Sequence, residues 1–370
     1  MLPSFFLFWL SVTLAYFSID LILFTSVLKI KKRENKNNPQ NLKGISVIVA
    51  AHNEEKNLDN YLERVLNQNY PLFEVIVIND NSDDDTQNIL LRLEKKHPSL
   101  KIIHLQDTKK SKKLALTKGI EVSEFDVLCF TDADCYPKTS EWLSSMVSYV
   151  STETPIVLGY SPFEKYSGLL NKLIRFENIQ TAINYFGLSN LGLPYMGVGR
   201  NIMYKKEVFN VLNGFENHKH TLSGDDDLFV NNAVKHYKLS LCLERKSFVY
   251  SQPKRRLSSW LSQKKRHYTT SYHYQRKHQF ILGFQFIVRC LFWLMLFSNL
   301  LVFSISSLNL NSILTFVLGL IMINAIGRFV IYKKFGAVNL VIASYYLEIL
   351  LVIFQLYLFF SQLFKPKKDW

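Results

Sequence analysis

Hydrophobic and polar positions divide the chain into apolar ends and a mixed middle. Residues 4–28, "SFFLFWLSVTLAYFSIDLILFTSVL", are almost wholly apolar, with Asp20 as their one acid. At about 1.5 Å rise per residue, such a run spans a hydrocarbon core of about 30 Å. It lacks a basic leader and no small-residue cleavage site follows it, which favours a retained anchor over a cleavable signal peptide. The middle alternates. "ISVIVAAHNEE" is an apolar run with a polar end, and "FEVIVINDNS" repeats that pattern. Between them, "LDNYLERVLNQNY" places Leu58, Leu62, Val65 and Leu66 on one helical face. "DTQNILLRLEKKHP" predicts a second helix closed by Pro98, and "KLALTKGIEVS" a third. "LKIIHL" and "DVLCFTDAD" predict a third and a fourth strand. Strands alternating with helices imply an α/β fold with a mostly parallel sheet, whose ligands bind beyond the carboxyl ends of the strands.

Residues 254–280 are basic and aromatic and read as a membrane-surface segment. Apolar segments near 281–304, 311–331 and 338–361 are each long enough to span. The expected organisation is an anchor at 1–30, a basic linker at 31–43, an α/β domain at 44–253, an interfacial segment at 254–280 and a membrane region at 281–370. Positive charge after the first span places the amino terminus outside and the α/β domain in the cytoplasm, within a multi-pass protein of the cell (inner) membrane. Three further spans would put the basic tail "KPKKDW" outside, against the same rule. That conflict points to one re-entrant or interfacial segment and leaves open which.

A net charge of +14 joined to apolar ends fits anionic lipid as a partner. No zinc-finger spacing or other nucleic-acid motif appears, so nucleic acid is not an expected partner. The four cysteines, Cys129, Cys135, Cys242 and Cys290, form no CxxC pair, which argues against a disulfide framework.

Candidate chemistry gathers at predicted strand ends. His52, Asn53, Glu54 and Glu55 follow the first strand, and Asn79, Asp80, Asn81 and Ser82 end the second. Either loop alone reads as helix capping; together they favour a nucleotide site. Asp132 and Asp134 flank one alanine after the fourth strand. Residues two apart in extended chain point the same way, so both carboxylates can meet one hard divalent cation. In "SGDDDLF", acids at a helix start are stabilised by the dipole, which would lower a carboxylate's pKa and keep it ready as a general base. Gln263 and Arg266 share one face of a basic helix, where surface electrostatics is the plainer reading.

These stretches together resemble the membrane-bound family 2 glycosyltransferases of the GT-A fold, which include processive polysaccharide synthases. "VIVAAHNEE" and "VIVINDNSDDDT" resemble that family's first two loops, "KKLALTKGI" its lysine-bearing helix, "FTDAD" its metal motif, "SGDDDLF" its catalytic motif and "QKKRH" its QxxRW motif. The resemblance spans roughly 44–270. It implies that Asn53, Glu54 and Asp80 contact the donor nucleotide, with Asp80 on the base. Lys112, Asp132 and Asp225 would bind substrate, and Asp134 would hold Mg²⁺ or Mn²⁺. Asp226 would be the catalytic base, and Gln263 and Arg266 would face acceptor and diphosphate. "GVGRNIMY" resembles the segment lining the acceptor side, where Gly197 and Gly199 allow close backbone approach.

The implied activity is inverting transfer of a sugar from a nucleotide-diphosphate donor to a lipid-linked or glycan acceptor at the membrane. His267 stands where the family has tryptophan, and the spans are few. Both favour single addition over the alternative, a processive polysaccharide synthase. Two other classes fit less well. A non-catalytic nucleotide-fold membrane protein would have a degraded carboxylate set, and a nucleotidyltransferase would need a basic phosphate-gripping loop where this chain has "AAHNEEKN".

Overall fold

The computed structural model describes residues 2–33, 43–106, 110–221, 223–303 and 310–363. The greater part of the basic linker (34–42) and the tail "KPKKDW" lie outside the described residues. The chain opens with helix α1 (Leu2–Leu28). Strands and helices then alternate: β1 (Ile45–Ala51), α2 (Glu55–Leu66), β2 (Phe73–Asp80), α3 (Thr86–Glu94), β3 (Leu100–Leu105), α4 (Lys112–Val122) and β4 (Val127–Phe130). Next come β5 (Cys135–Pro137), α5 (Trp142–Val147), β6 (Ile156–Leu158) and the long α6 (Leu169–Asn190). After these lie β7 (Ile202–Lys205), α7 (Lys206–Val211), α8 (Asp227–Ala233), β8 (Leu239–Leu241) and β9 (Val249–Ser251). Helices α9 (Leu257–Ser271), α10 (Arg276–Phe303), α11 (Leu310–Lys334) and α12 (Ser344–Leu363) follow.

By their contacts, Ile30–Glu164 and Pro194–Lys254 form one unit, while Met1–Lys29, Lys165–Leu193 and Arg255–Trp370 form another. The range 44–253, expected to be one continuous domain, is thus interrupted by a segment that groups with the terminal helices. The physical reason lies in α6. Ser26 Oγ donates to the Gly187 carbonyl at 2.8 Å, and Asn190 Nδ2 donates to the Ser26 carbonyl at 3.0 Å. A Cβ at Gly187 would stand 2.9 Å from the Leu23 side chain, so the glycine lets α1 come close.

The unit holding the sheet is α/β. Its seven strands run in the order β3-β2-β1-β4-β7-β6-β8. The β1–β2, β1–β4, β2–β3 and β6–β8 pairings are parallel, and β7 is antiparallel to both β4 and β6. β5 and β9 form a separate antiparallel pair. The central strands β1, β2 and β4 are buried on both faces, which explains their continuous apolar runs. Leu58, Leu62, Val65 and Leu66 of α2 are all buried in the core with Val47, Val49, Val75 and Val77, as their helical spacing predicts. Order reverses between β1 and β4, where an open α/β sheet splays its outgoing loops and leaves a crevice.

In the other unit, Leu7–Leu28, Arg276–Ser298 and Ser344–Ser361 are long and apolar enough to cross a membrane. Trp9, Val12 and Tyr16 of α1 pack with Val288, Phe292 and Met295 of α10, and the Tyr16 and Phe292 rings stack at 4.0 Å. Helix α9 is moored within this unit. Trp260 stacks on Phe354 at 4.2 Å, and Lys264 pairs with Glu177 of α6 at 2.6 Å.

Candidate active site

The loops leaving β1 and β2 are laced together. Asn53 N–H donates to Ser82 Oγ at 2.9 Å, and Asn53 Oδ1 accepts from Asp83 N–H at 2.8 Å. Glu54 N–H donates to Thr86 Oγ1 at 3.0 Å, and Glu55 N–H to Asp84 Oδ2 at 3.1 Å. Asn53 and Asn81 adopt φ of 56° and 51°, the left-handed region that asparagine tolerates. Asp83, Asp84 and Asp85 serve this lacing and the start of α3. Asp80 is buried. Its Oδ2 accepts from Ser111 N–H at 2.9 Å, which ties β2 to the start of α4.

Asp132 and Asp134 lie in the turn between β4 and β5, closed by Cys135 N–H donating to the Asp132 carbonyl at 3.0 Å. The carboxylates converge, but through a turn rather than through extended-chain alternation. Ligand atoms of Asp132, Asp134 and Cys135 all fall within 4.8 Å of one another. Burial, with Asp134 and Asp132 adding, pushes the Cys135 thiol well above its ordinary range, so it is a neutral neighbour. Two carboxylate oxygens beside it suit a hard divalent cation such as Mg²⁺ or Mn²⁺. Burial also raises the Asp134 carboxyl, and Asp132 adds to it; Arg200 and Lys254 pull the other way. Glu54 belongs to the same group of acids. Its pKa is raised by burial against a hydrogen bond from Asn57, with Asp134 and Asp132 raising it further.

Lys112 links two motifs that are far apart in sequence. Its Nζ lies 2.9 Å from Asp132 Oδ1 and 2.8 Å from Asp225 Oδ2. A lysine at a helix start is opposed by the dipole. Burial would also lower its pKa, yet Asp132, Asp225 and Asp226 overcome this and hold it raised. Burial alone would raise Asp225; Lys112 more than cancels this and leaves it lowered. Lys112, Asp132, Gly199, Tyr204 and Asp225 line a small pocket floored by Leu116, Phe130 and Ile202.

The three aspartates before α8 take different parts. Gly224, at φ 102°, turns the chain into them. Asp225 pairs with Lys112. Asp226 caps α8, its Oδ1 accepting from Asp227 N–H at 2.7 Å and its Oδ2 from Gly199 N–H at 2.7 Å. Asp227, the first helical residue, is buried and accepts from Leu228 N–H at 2.7 Å. The helix dipole predicts a lowered pKa at Asp226. Burial, together with Asp225 and Asp227, instead raises it to about 7, against Lys112 and the Gly199 N–H.

Glu54, Lys112, Asp132, Asp134, Asp225 and Asp226 are therefore joined by contact or field, with Asn53 in the loop after β1 and Asp80 at the end of β2. Gln263 and Arg266 lie on α9 of the other unit, where Arg266 is exposed. Two residues that sequence reasoning missed bear on the site. Lys113 donates to the Thr221 carbonyl at 2.8 Å and to Thr221 Oγ1 at 2.9 Å, fixing the loop before the aspartates. Arg200 acts on Asp134, and its place inside "GVGRN" was the available signal.

Residues 46–212 match the family model for glycosyl transferase family 2. Glycosyltransferase AglE of Haloferax volcanii is 30% identical over 158 residues, 38% of this chain and 51% of that protein. The poly-β-1,6-N-acetyl-D-glucosamine synthase of Staphylococcus epidermidis is 31% identical over 128 residues, 35% of this chain and 29% of that one. The chain thus spans about half the length of the first relative and less of the second. A solved mannosyltransferase of Pyrobaculum calidifontis, in complex with GDP-Man and Mn²⁺, is similar with a TM-score of 0.60 at 16% identity, covering 94% of this chain and 99% of that one. At that identity the likeness is one of fold. By sequence match, residues 46–212 are similar to glycosyl transferase family 2, and the sheet they help to build has the GT-A fold.

Proposed function

We propose that the protein is an inverting glycosyltransferase that moves a sugar from a nucleotide-diphosphate donor to a membrane-associated acceptor, lipid-linked or glycan. The observation that carries this reading is Asp226. Two backbone N–H groups orient its carboxylate, and its pKa of about 7 suits proton transfer at neutral pH.

Asp226 takes the proton of an acceptor hydroxyl. That oxygen attacks the anomeric carbon from the face opposite the diphosphate, the bond to the diphosphate breaks, and one displacement inverts the configuration. Lys112 fixes Asp132 and Asp225 so that neither swings toward the base. Asp134 and Asp132 would hold Mg²⁺ or Mn²⁺, which when bound neutralises charge on the diphosphate. Asn53 and Asp80 receive the nucleoside, and Glu54 stands beside the donor's phosphate end. Diphosphate and acceptor are the expected ligands of Gln263 and Arg266.

Three helices among the described residues are able to cross a membrane, which supports an acceptor carried at the bilayer. The basic residues Lys29, Lys31, Lys32 and Arg33 after α1 support a cytoplasmic site at the cell membrane. Single addition is favoured over processive synthesis, because His267 replaces the family's tryptophan.

A donor screen tests the reading. Solubilised protein with Mn²⁺ is offered a panel of sugar nucleotides, and nucleoside diphosphate release is followed with and without membrane extract. One donor should stand out, and chromatography of labelled product should show a single adduct rather than a ladder. An Asp226→Asn protein that folds, binds donor and keeps full activity would sink the mechanism.

A further inference from the structure

We propose that Arg200 is a phosphate-binding residue of this site, offering its guanidinium to phosphate oxygens of a bound substrate. The proposal rests on the glycosyltransferase reading above and extends it to a residue for which sequence reasoning named no role.

Arg200 sits in the short turn Gly199–Asn201, which is anchored on both sides. Gly199 donates its N–H to Asp226. Asn201 is fully buried and saturated. Its Oδ1 accepts from Trp142 Nε1 at 3.0 Å, and its Nδ2 donates to the carbonyls of Tyr160 at 2.9 Å and Ser247 at 2.8 Å. A turn so fixed presents its middle residue with little freedom. The Arg200 guanidinium lies 4.4 Å from the centre of the Phe163 ring, which covers one of its faces.

The edge of that guanidinium is unfinished. Nη1 is buried and has no hydrogen-bond partner, and Arg200 forms no ion pair among the described residues. A buried donor left unpaired is costly, and such groups persist where a ligand completes them. Arg200 also stands close enough to Asp134 for its charge to act on that carboxyl. A divalent cation on Asp132 and Asp134 would satisfy those carboxylates and leave the Arg200 charge facing whatever anion the cation holds. The planar fork of arginine matches phosphate oxygens in pairs, which a lysine cannot do. Phosphate oxygens can arrive from two sources: the donor's diphosphate or a phosphate on a lipid-linked acceptor.

The test uses the full chain in detergent, as wild type, Arg200→Met and Arg200→Gln. Glutamine keeps a planar head over Phe163 and loses the charge. Binding of UDP and GDP with Mn²⁺ is measured by calorimetry against the parent nucleosides, and binding of a short polyprenyl phosphate against the matching alcohol. If the donor is the source, both variants lose about tenfold in nucleoside diphosphate affinity and nothing for the nucleoside. If the acceptor is the source, the same loss appears for the polyprenyl phosphate and not for the alcohol. Either folded variant binding both phosphates as the wild type does overturns the proposal and leaves the glycosyltransferase reading standing. Wild-type protein that binds neither phosphate class overturns both.

Discussion

Asp226 Oδ2 accepts a hydrogen bond from the Gly199 backbone N–H at 2.7 Å, joining the start of α8 to the turn before β7. Gly199 is not in the left-handed region, so the space it leaves is what matters. A Cβ there would lie 3.2 Å from Asp226 Cβ and 3.3 Å from Oδ2. Gly199→Ala should therefore push the carboxylate aside by a few tenths of an ångström while leaving the backbone able to fold. A misplacement of about 1 Å costs on the order of a hundredfold in rate, so a smaller one should cost about tenfold. Steady-state kinetics should show the loss in kcat, with donor KM and melting temperature nearly unchanged.

The raised pKa of Asp226 gives opposite effects on activity and stability. As a base it must be ionised, so kcat/KM should climb with pH and level off above about 7. For stability, the folded value of about 7 exceeds the ordinary 3.8, so the folded chain binds the extra proton between those values. Stability then falls as pH rises through that window, and the penalty is fully present above it. Asp226→Asn removes the penalty. The variant should be inactive, yet melt higher than the wild type at pH 8. At pH 4 the two proteins should melt alike.

Lys112 and the carboxylates it bridges should show the reverse sign. Its own pKa is raised, so its contribution is present below its ordinary 10.5. That of Asp225 is lowered, so its contribution is present above 3.8 and is lost on acidification through the folded value. Lys112→Met should thus destabilise across neutral pH, leaving Asp132 and Asp225 facing each other without a counter-charge. Because the lysine side chain is 44% exposed, the loss should be about 1–2 kcal/mol rather than that of a sealed pair. Thermal melting at pH 7 should show it, and the gap to wild type should narrow at pH 3.

Local patterning made the first half of the α/β domain legible. β1 to β4 and α2 to α4 follow from runs of apolar residues and helical spacing, because each buries a face decided within a few residues. The acids after β4 were legible as a pair, although the turn that joins them was not. Adjacent lysines show where local reading stops. Lys112 turns to Asp132 and Asp225, while Lys113 turns to Thr221 and the His218 carbonyl. Only the seating of α4 against a loop about a hundred residues away decides which does which. The same holds for α6, which falls inside the expected 44–253 domain until Gly187 is seen against Leu23 of α1. Arg200 was passed over because "GVGRNIMY" was read for its glycines, and a single arginine beside a strand adds no periodic signal of its own.

Asp20, the lone acid of α1, shows what such long-range pairing does in the helical unit. Its Oδ2 accepts from Asn324 Nδ2 of α11 at 3.0 Å and lies 3.5 Å from Arg328 Nη2. The same Nη2 lies 2.6 Å from Glu348 of α12 and donates to Tyr16 of α1 at 2.9 Å. Arg289 of α10 completes the set, 3.6 Å from Asp20 and 3.4 Å from Glu348. Two acids and two bases on four helices thus balance among apolar residues, where an isolated charge would be expensive. Arg328 and Glu348 are each 1% exposed, so removing one of them leaves two like charges sharing one counter-charge out of reach of water. Arg328→Met should cost about 3–5 kcal/mol, the range for breaking a buried pair, and lower the melting temperature of the detergent-solubilised chain sharply. Glu348→Met should do the same. The double variant should lose less than the sum of the two, because no unpaired charge remains on that axis. Additive losses in that cycle, or an Arg328→Met protein that melts with the wild type, would show that the four charges do not hold these helices together.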